Sequence, residues 1–262
     1  MLRRYARVVS AMVLSGMVAL ACSLESLSSQ YHAAEGGRGD AAPAPVEEDV
    51  DASPRAAPSC MHTTPAPTFC DDFDHGIDER WSPLLKGDGG VSNLDQALVV
   101  SIPGASKRPG AAAALWKEFP QTATSAHLTF YFRAPVPMGT TEQPIITFEL
   151  ERSRKAYQLS LMFSDSETRV SERQLGADAG TPQNYPVKTQ IPTGGVSVSM
   201  EFSLGKRPRL VLSFNEVEVL DKVLTLPFTP GPNLRLYIGV IQAEVPTDPW
   251  SVHFDDVHVL VE

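Results

Sequence analysis

Cysteine is scarce in this 262-residue chain, with three in all, at Cys22, Cys60 and Cys70. So few cannot staple a fold through a disulfide framework, and stability must come from an apolar core. Basic residues are also short, 22 Lys and Arg against 31 Asp and Glu, for a formal net charge of −9. That balance argues against nucleic acid as a main partner, which needs a basic patch, and against electrostatic adhesion to anionic lipid. No Gly-x-x-x-x-Gly-Lys loop, Gly-x-Ser-x-Gly elbow or His-Glu-x-x-His pair occurs. The sequence therefore offers no phosphate cradle, serine nucleophile elbow or zinc-protease helix. Helical periodicity is missing too. The best helix-forming stretch, Ala111 to Leu115, is short and follows Pro109-Gly110.

What is present begins with an export signal. Arg3, Arg4 and Arg7 precede an uncharged apolar run from Val8 to Ala21. The run is shorter than the about 20 residues of a membrane span and has the flanks of a secretory segment. Ala19-Leu20-Ala21-Cys22 resembles the lipobox of bacterial lipoproteins. That resemblance implies cleavage after residue 21, acylation of Cys22 and a membrane partner reached through lipid. Ser23 in place of Asp implies transfer to the outer membrane, facing the periplasm or the surface. Residues 22–68 are rich in Ala, Pro, Gly, Ser and acids. Such a segment buries too little apolar surface to offset its ordering entropy and reads as a disordered tether. In an exported compartment Cys60 and Cys70 are expected to close a short structural disulfide. A reactive thiol pair or a metal site with His62 is the alternative; zinc needs about four ligands, and no second Cys/His pair accompanies these.

From residue 69 to 262 the pattern is strands. Val196, Val198, Met200 and Phe202 alternate with Ser197, Ser199 and Glu201, a period of two with one buried and one wet face. Leu128, Phe130 and Phe132 share a face in the same way. Two apolar runs, Leu210 to Phe214 and Val217 to Leu220, are split by the polar pair Asn215-Glu216, which reads as a hairpin. The segment from Gly176 to Pro192 is polar, rich in Pro and Gly, and reads as a loop that could lie over one face. Many short strands with frequent Gly and Pro punctuation mean an all-β sandwich or barrel.

The opening Phe69-Cys70-Asp71-Asp72-Phe73-Asp74 with Trp81, the closing Trp250-Ser251-Val252-His253-Phe254-Asp255-Asp256-Val257 and the hairpin Val211 to Leu220 resemble the concanavalin A-like lectin/glucanase superfamily. The nearest type is the LamG-like domain of bacterial lipoproteins. The resemblance implies a jelly-roll sandwich of two antiparallel sheets over residues 69–262, with the first and last strands side by side. It also implies that Trp81 and Trp250 are structural.

The superfamily hosts glucanases, lyases, lectins and inert modules, so function must come from the site. Glycoside hydrolysis needs two carboxyl groups across a sugar. Glu149 and Glu151 have the spacing for one face, but Arg154 stands where the superfamily's glucanases place a further acid. The reading is a charged strand, not a catalytic pair. His127, His253 and His258 are scattered, and the odd separation of the last two puts them on opposite faces of a regular strand. If the terminal strands are neighbours, Asp72, Asp74, Asp255 and Asp256 converge, and a structural Ca2+ is the expectation to test. Trp116, Tyr157 and Tyr185 are the candidates for stacking on a ligand. Three functions stay open: a non-catalytic module binding glycan or another surface ligand, a structural protein–protein interaction domain of the envelope, and a glycan-active enzyme with an unorthodox site.

Overall fold

The computed structural model describes residues 60, 65–102, 111–136, 139–152, 155–176, 179–189, 191–192, 194–243 and 249–262. The expected signal peptide, Cys22 and the tether before Cys60 lie outside the described residues, as do His62 and Arg154.

The strands are β1 (Phe69–Asp71), β2 (Ser82–Lys86), β3 (Gly90–Leu94), β4 (Ala97–Ile102), β5 (Ala112–Phe119), β6 (Ser125–Val136), β7 (Gln143–Arg152), β8 (Lys155–Phe163), β9 (Thr168–Leu175), β10 (Gln183–Pro186), β11 (Val196–Ser203), β12 (Arg209–Phe214), β13 (Val217–Val223), β14 (Leu234–Val240) and β15 (Trp250–Val261). They form two antiparallel sheets. The first runs β13-β12-β11-β6-β15-β4-β3, with β1 also on β15; the second runs β10-β9-β8-β7-β14-β5-β2. Phe69 stands opposite Val259 and Asp71 opposite Val257, so the first and last strands are neighbours, as the resemblance implies.

Period-two alternation builds the core. Leu128, Phe130 and Phe132 of β6 and Val198, Met200 and Phe202 of β11 point inward from the first sheet. Phe148 of β7 and Leu159, Leu161 and Phe163 of β8 answer from the second. Phe132 meets Phe163 edge-on across the layers at 5.2 Å, and Phe148 meets Phe202 at 5.8 Å. Burying each such ring is worth about 1.5–3 kcal/mol. The expected hairpin is β12–β13, with Asn215 and Glu216 at φ 47° and 67° as a tight right-twisting turn needs.

Ala112 to Leu115, too short for a helix in sequence, belong to β5, where small side chains let the strand lie buried between β2 and β14. Beside it, Gly239 has φ 106°, and a side chain there would meet the Ala113 carbonyl oxygen at 2.5 Å. The segment Gly176 to Pro192 is not all loop among its described residues. Its centre is β10, which extends the second sheet beside β9. His253 and His258 share the outer face of the first sheet. A bulge between Asp255 and His258, with Asp256 at φ 50°, resets the alternation, so His253 pairs with Arg133 and His258 with Thr129.

Buried acids tie the layers down. Asp71 accepts from the Phe73 N–H, the Asp78 N–H and Trp81 Nε1 at 3.0, 3.3 and 2.7 Å. Burial pushes its carboxyl above the ordinary value, and these donors oppose the rise. Glu172 of β9 points inward beside Leu159 and has no exposure. It accepts from Tyr185 Oη at 2.6 Å, from the Thr225 N–H at 2.8 Å, from the Leu226 N–H at 3.1 Å, and from the Thr225 hydroxyl. Thr225 and Leu226 lie on the crossover from β13 to β14, so Glu172 fastens one sheet to the other. Cys60 and Cys70 form the expected disulfide, with Cα atoms 5.7 Å apart.

Candidate functional site

The outer face of the second sheet carries the densest polar chemistry among the described residues. Alternation sends Leu234, Leu236 and Ile238 of β14 into the core and leaves Arg235 and Tyr237 outside. Register then sets Tyr237 between Trp116 of β5 and Thr147 of β7, and Arg235 between Glu118 and Glu149. Further along, Glu149 faces Gln158 of β8, and Gln158 faces Arg173 of β9.

These side chains form one continuous ladder. Arg235 Nε donates to Glu118 Oε2 at 2.8 Å, and its Nη1 approaches Glu149 Oε1 at 3.5 Å and Glu151 Oε2 at 3.4 Å. Tyr237 Oη donates to Glu149 Oε1 at 3.4 Å. Gln158 Nε2 donates to Glu149 Oε2 at 2.6 Å, and Arg173 Nε donates to Gln158 Oε1 at 2.8 Å. The chain Glu118–Arg235–Glu149–Gln158–Arg173 crosses five adjacent strands, about 19 Å at the usual strand spacing. Each group holds the next in one rotamer, so the face presents fixed donors and acceptors with little left to order on binding. The Glu118 hydrogen bond keeps Arg235 firmly charged. Burial, reinforced by Glu149, pushes the Tyr237 phenol up, so it stays a protonated donor at neutral pH.

An aromatic surface lies beside the ladder. Trp116 and Tyr237 are half-buried neighbours with ring centroids 6.4 Å apart and planes tilted by 33°. The Arg235 guanidinium sits 5.8 Å from the Trp116 ring. At the ladder's other end the face deepens into a pocket of about 350 Å³, whose lining includes Glu142, Ser160, Arg169, Ser171, Arg173 and Asn184. The outer face of the first sheet is different in kind. One hollow of about 300 Å³ there is lined by His127, Glu201, Arg209 and Glu262, and a second by Thr129, Tyr131, Ser199 and His258, with His127 Nε2 and Ser199 Oγ 2.9 Å apart.

No family model matches the chain, and no curated protein matches it in sequence. Solved structures do match in shape. Endo-β-1,4-glucuronan lyase from the fungus Trichoderma reesei superposes with a TM-score of 0.59 at 12% identity, covering 75% of this chain and 96% of that one. Alginate lyase Aly36B gives 0.51 at 11%, over 73% and 95%. Cellulose induced protein Cip1 gives 0.51 at 14%, over 73% and 96%. The fold is a jelly-roll β-sandwich. These three solved structures are glycan-related proteins, lyases among them, and at such identities the likeness establishes shape and nothing more.

The residues singled out from sequence separate in this fold. Trp116 lies on the polar outer face. Tyr157 does not: it pairs with Leu150 on the inner side, is 9% exposed, and packs on Phe228 at 6.0 Å. Tyr185 also turns inward, because its hydroxyl is bound by Glu172; burial and that bond push its phenol up to about 12. Neither ring shares the outer face with Trp116. Asp72 and Asp255 each turn a carboxylate oxygen onto a nearby backbone N–H, of Asp74 and Asp256 respectively. Among the described residues the three side chains that come within metal-ligand reach are Cys60, Cys70 and His258, the two cysteines being joined, so Asp72, Asp74, Asp255 and Asp256 form no such cluster. Glu149 and Glu151 do share a face, as their spacing implies, and flank Arg235 there. Arg235, Tyr237, Gln158 and Arg173 were missed from the sequence. The alternation in Leu234-Arg235-Leu236-Tyr237 marks two of them as outward, but only the register shows that they meet Glu149.

Proposed function

We propose that this protein is a non-catalytic glycan-binding module, lipid-anchored through Cys22 in the outer membrane of a bacterial envelope, and that the outer face of the second sheet is its binding platform. The observation that carries the reading is the five-strand ladder beside the Trp116–Tyr237 pair. Fixed hydrogen-bonding groups suit hydroxyl-rich rings, and an aromatic plane beside them suits the apolar face of a sugar. The shape shared with glycan-related proteins is consistent with it. Glu149 meets Gln158 through one carboxylate oxygen and Arg235 and Tyr237 through the other, the setting of a fixed acceptor more than of a proton donor.

The test is a binding panel of neutral and acidic polysaccharides against the purified protein and Trp116→Ala. Binding that weakens about tenfold in the variant supports the platform; unchanged binding removes it. Release of reducing ends or unsaturated products during the same assay favours the enzyme reading instead. For the anchor, Cys22→Ala should abolish labelling by a radiolabelled fatty acid and leave an unprocessed precursor. Unchanged labelling defeats that part of the proposal.

One observation favours a protein partner. The edge strand β13 exposes Val217 (65%) and Val223 (56%), and an edge strand can accept a strand from another chain. A folded sample that binds no glycan and cross-links through β13 to an envelope protein selects this second reading.

A further inference from the structure

The ladder ends at Arg173, on the rim of the pocket of about 350 Å³ between β7, β8, β9 and β10. Alternation on β9 sends Arg169, Ser171 and Arg173 into this pocket together. Arg169 Nη2 lies 2.5 Å from Glu142 Oε2. Its Nε and the other Glu142 oxygen are buried without a hydrogen-bond partner. Arg173 is held by a neutral group, the Gln158 amide oxygen, and pairs with no carboxylate among the described residues. The charge count of the pocket is therefore two guanidinium groups against one carboxylate. Asn184, Ser160, Ser171 and Gln242 add neutral hydrogen-bonding groups to the wall. Burial pushes the Glu142 carboxyl above its ordinary value, Arg169 opposing the rise and Glu167 adding to it.

A sugar hydroxyl can bond to such a wall but cannot neutralise it. A planar carboxylate or a sulfate oxygen pair matches the guanidinium fork and supplies the missing charge. We propose that this pocket receives a carboxylate or sulfate group carried by a glycan, so that the ligand class of the platform is acidic polysaccharide. The inference rests on the glycan-binding reading above and sharpens it. The sugar rings lie along the ladder and the Trp116–Tyr237 surface, and the acidic substituent occupies the Arg169–Arg173 end.

The experiment uses backbone-matched probes: hydroxyethyl cellulose, carboxymethyl cellulose and cellulose sulfate, with dextran, carboxymethyl dextran and dextran sulfate as a second series. The purified protein is titrated with each, beside Arg173→Gln and Arg169→Gln. The expected result is at least tenfold tighter binding to an acidic member than to its neutral parent, with that preference lost in either variant while the melting temperature stays within a few degrees. The carboxymethyl and sulfate arms separate the two acidic groups. Equal binding of neutral and acidic members, or a preference that survives both substitutions, overturns the inference. Binding confined to a neutral glycan of the wider panel and dependent on Trp116 overturns it while leaving the platform standing. Failure to bind any glycan overturns both.

Discussion

Gln158 stands between an acid and a base, donating through Nε2 to Glu149 at 2.6 Å and accepting at Oε1 from Arg173 at 2.8 Å. Its amide can be placed only one way round, since a flipped Gln158 would set oxygen against carboxylate. That orientation makes two halves of the outer face into one array. Gln158→Leu should uncouple them: Glu149 and Arg173 each lose a partner, and stability should drop by about 1–3 kcal/mol. Gln158→Glu should cost more than Gln158→Asn, because it places two carboxylates side by side. Urea denaturation of the three variants checks the ranking.

Glu172 is the acid on which the layers depend most. Glu172→Ala leaves the Tyr185 hydroxyl and the Thr225 and Leu226 N–H groups without their acceptor. A loss of about 3–5 kcal/mol is expected, since several buried donors are orphaned together. Tyr185→Phe removes one donor and should cost only about 1 kcal/mol. Equal losses for the two variants would contradict the assigned geometry.

His253 should make stability depend on pH near neutrality. Burial first, and Arg133 second, hold its imidazole below the ordinary 6.5, with Asp95 in opposition. Arg133 Nε donates to His253 Nδ1 at 3.1 Å, a bond that needs the neutral ring. The unfolded chain therefore takes up the proton first. The contribution is fully present above about pH 6.5 and is lost as pH falls through and below that value. Denaturation midpoints at pH 7.5 and 5.5 should fall further for the wild type than for His253→Gln.

The Cys60–Cys70 bridge joins residues 10 apart in sequence and ties the chain before β1 to the middle of that strand. Reduction, or Cys60→Ser with Cys70→Ser, should lower stability by about 2–3 kcal/mol and free the start of β1 from β15. Hydrogen exchange at Phe69 to Asp71 should then rise while that of β6 does not.

The sandwich was legible in the sequence wherever a strand had one wet face. In β11 the alternation of Val, Val, Met and Phe with Ser and Glu fixes both strand and facing, and Asn215-Glu216 marks its hairpin. The reading failed where a single residue changes parity. Tyr157 and Gln158 are adjacent, and an aromatic looks the better ligand contact, yet the pairing of Tyr157 with Leu150 turns the amide outward. The extra residue at Asp256 cannot be seen in the sequence, and it carries His258 to the same face as His253. Alanine favours helices, but Ala112 to Ala114 are too few to make one, and tertiary burial settles them in β5. The ladder was invisible for a different reason. Its five members come from five strands whose order in the sheet is not their order in the chain.

The measurement closest to the centre of the account is a nuclear magnetic resonance titration with whichever polysaccharide fragment binds in the panel, following the indole N–H of Trp116 and the side-chain amide of Gln158. The account predicts that both signals shift in a saturable way, with those of Tyr131 and His127 on the opposite face unmoved. Saturable shifts confined to the Tyr131–His127 face, with Trp116 and Gln158 unchanged, would contradict it.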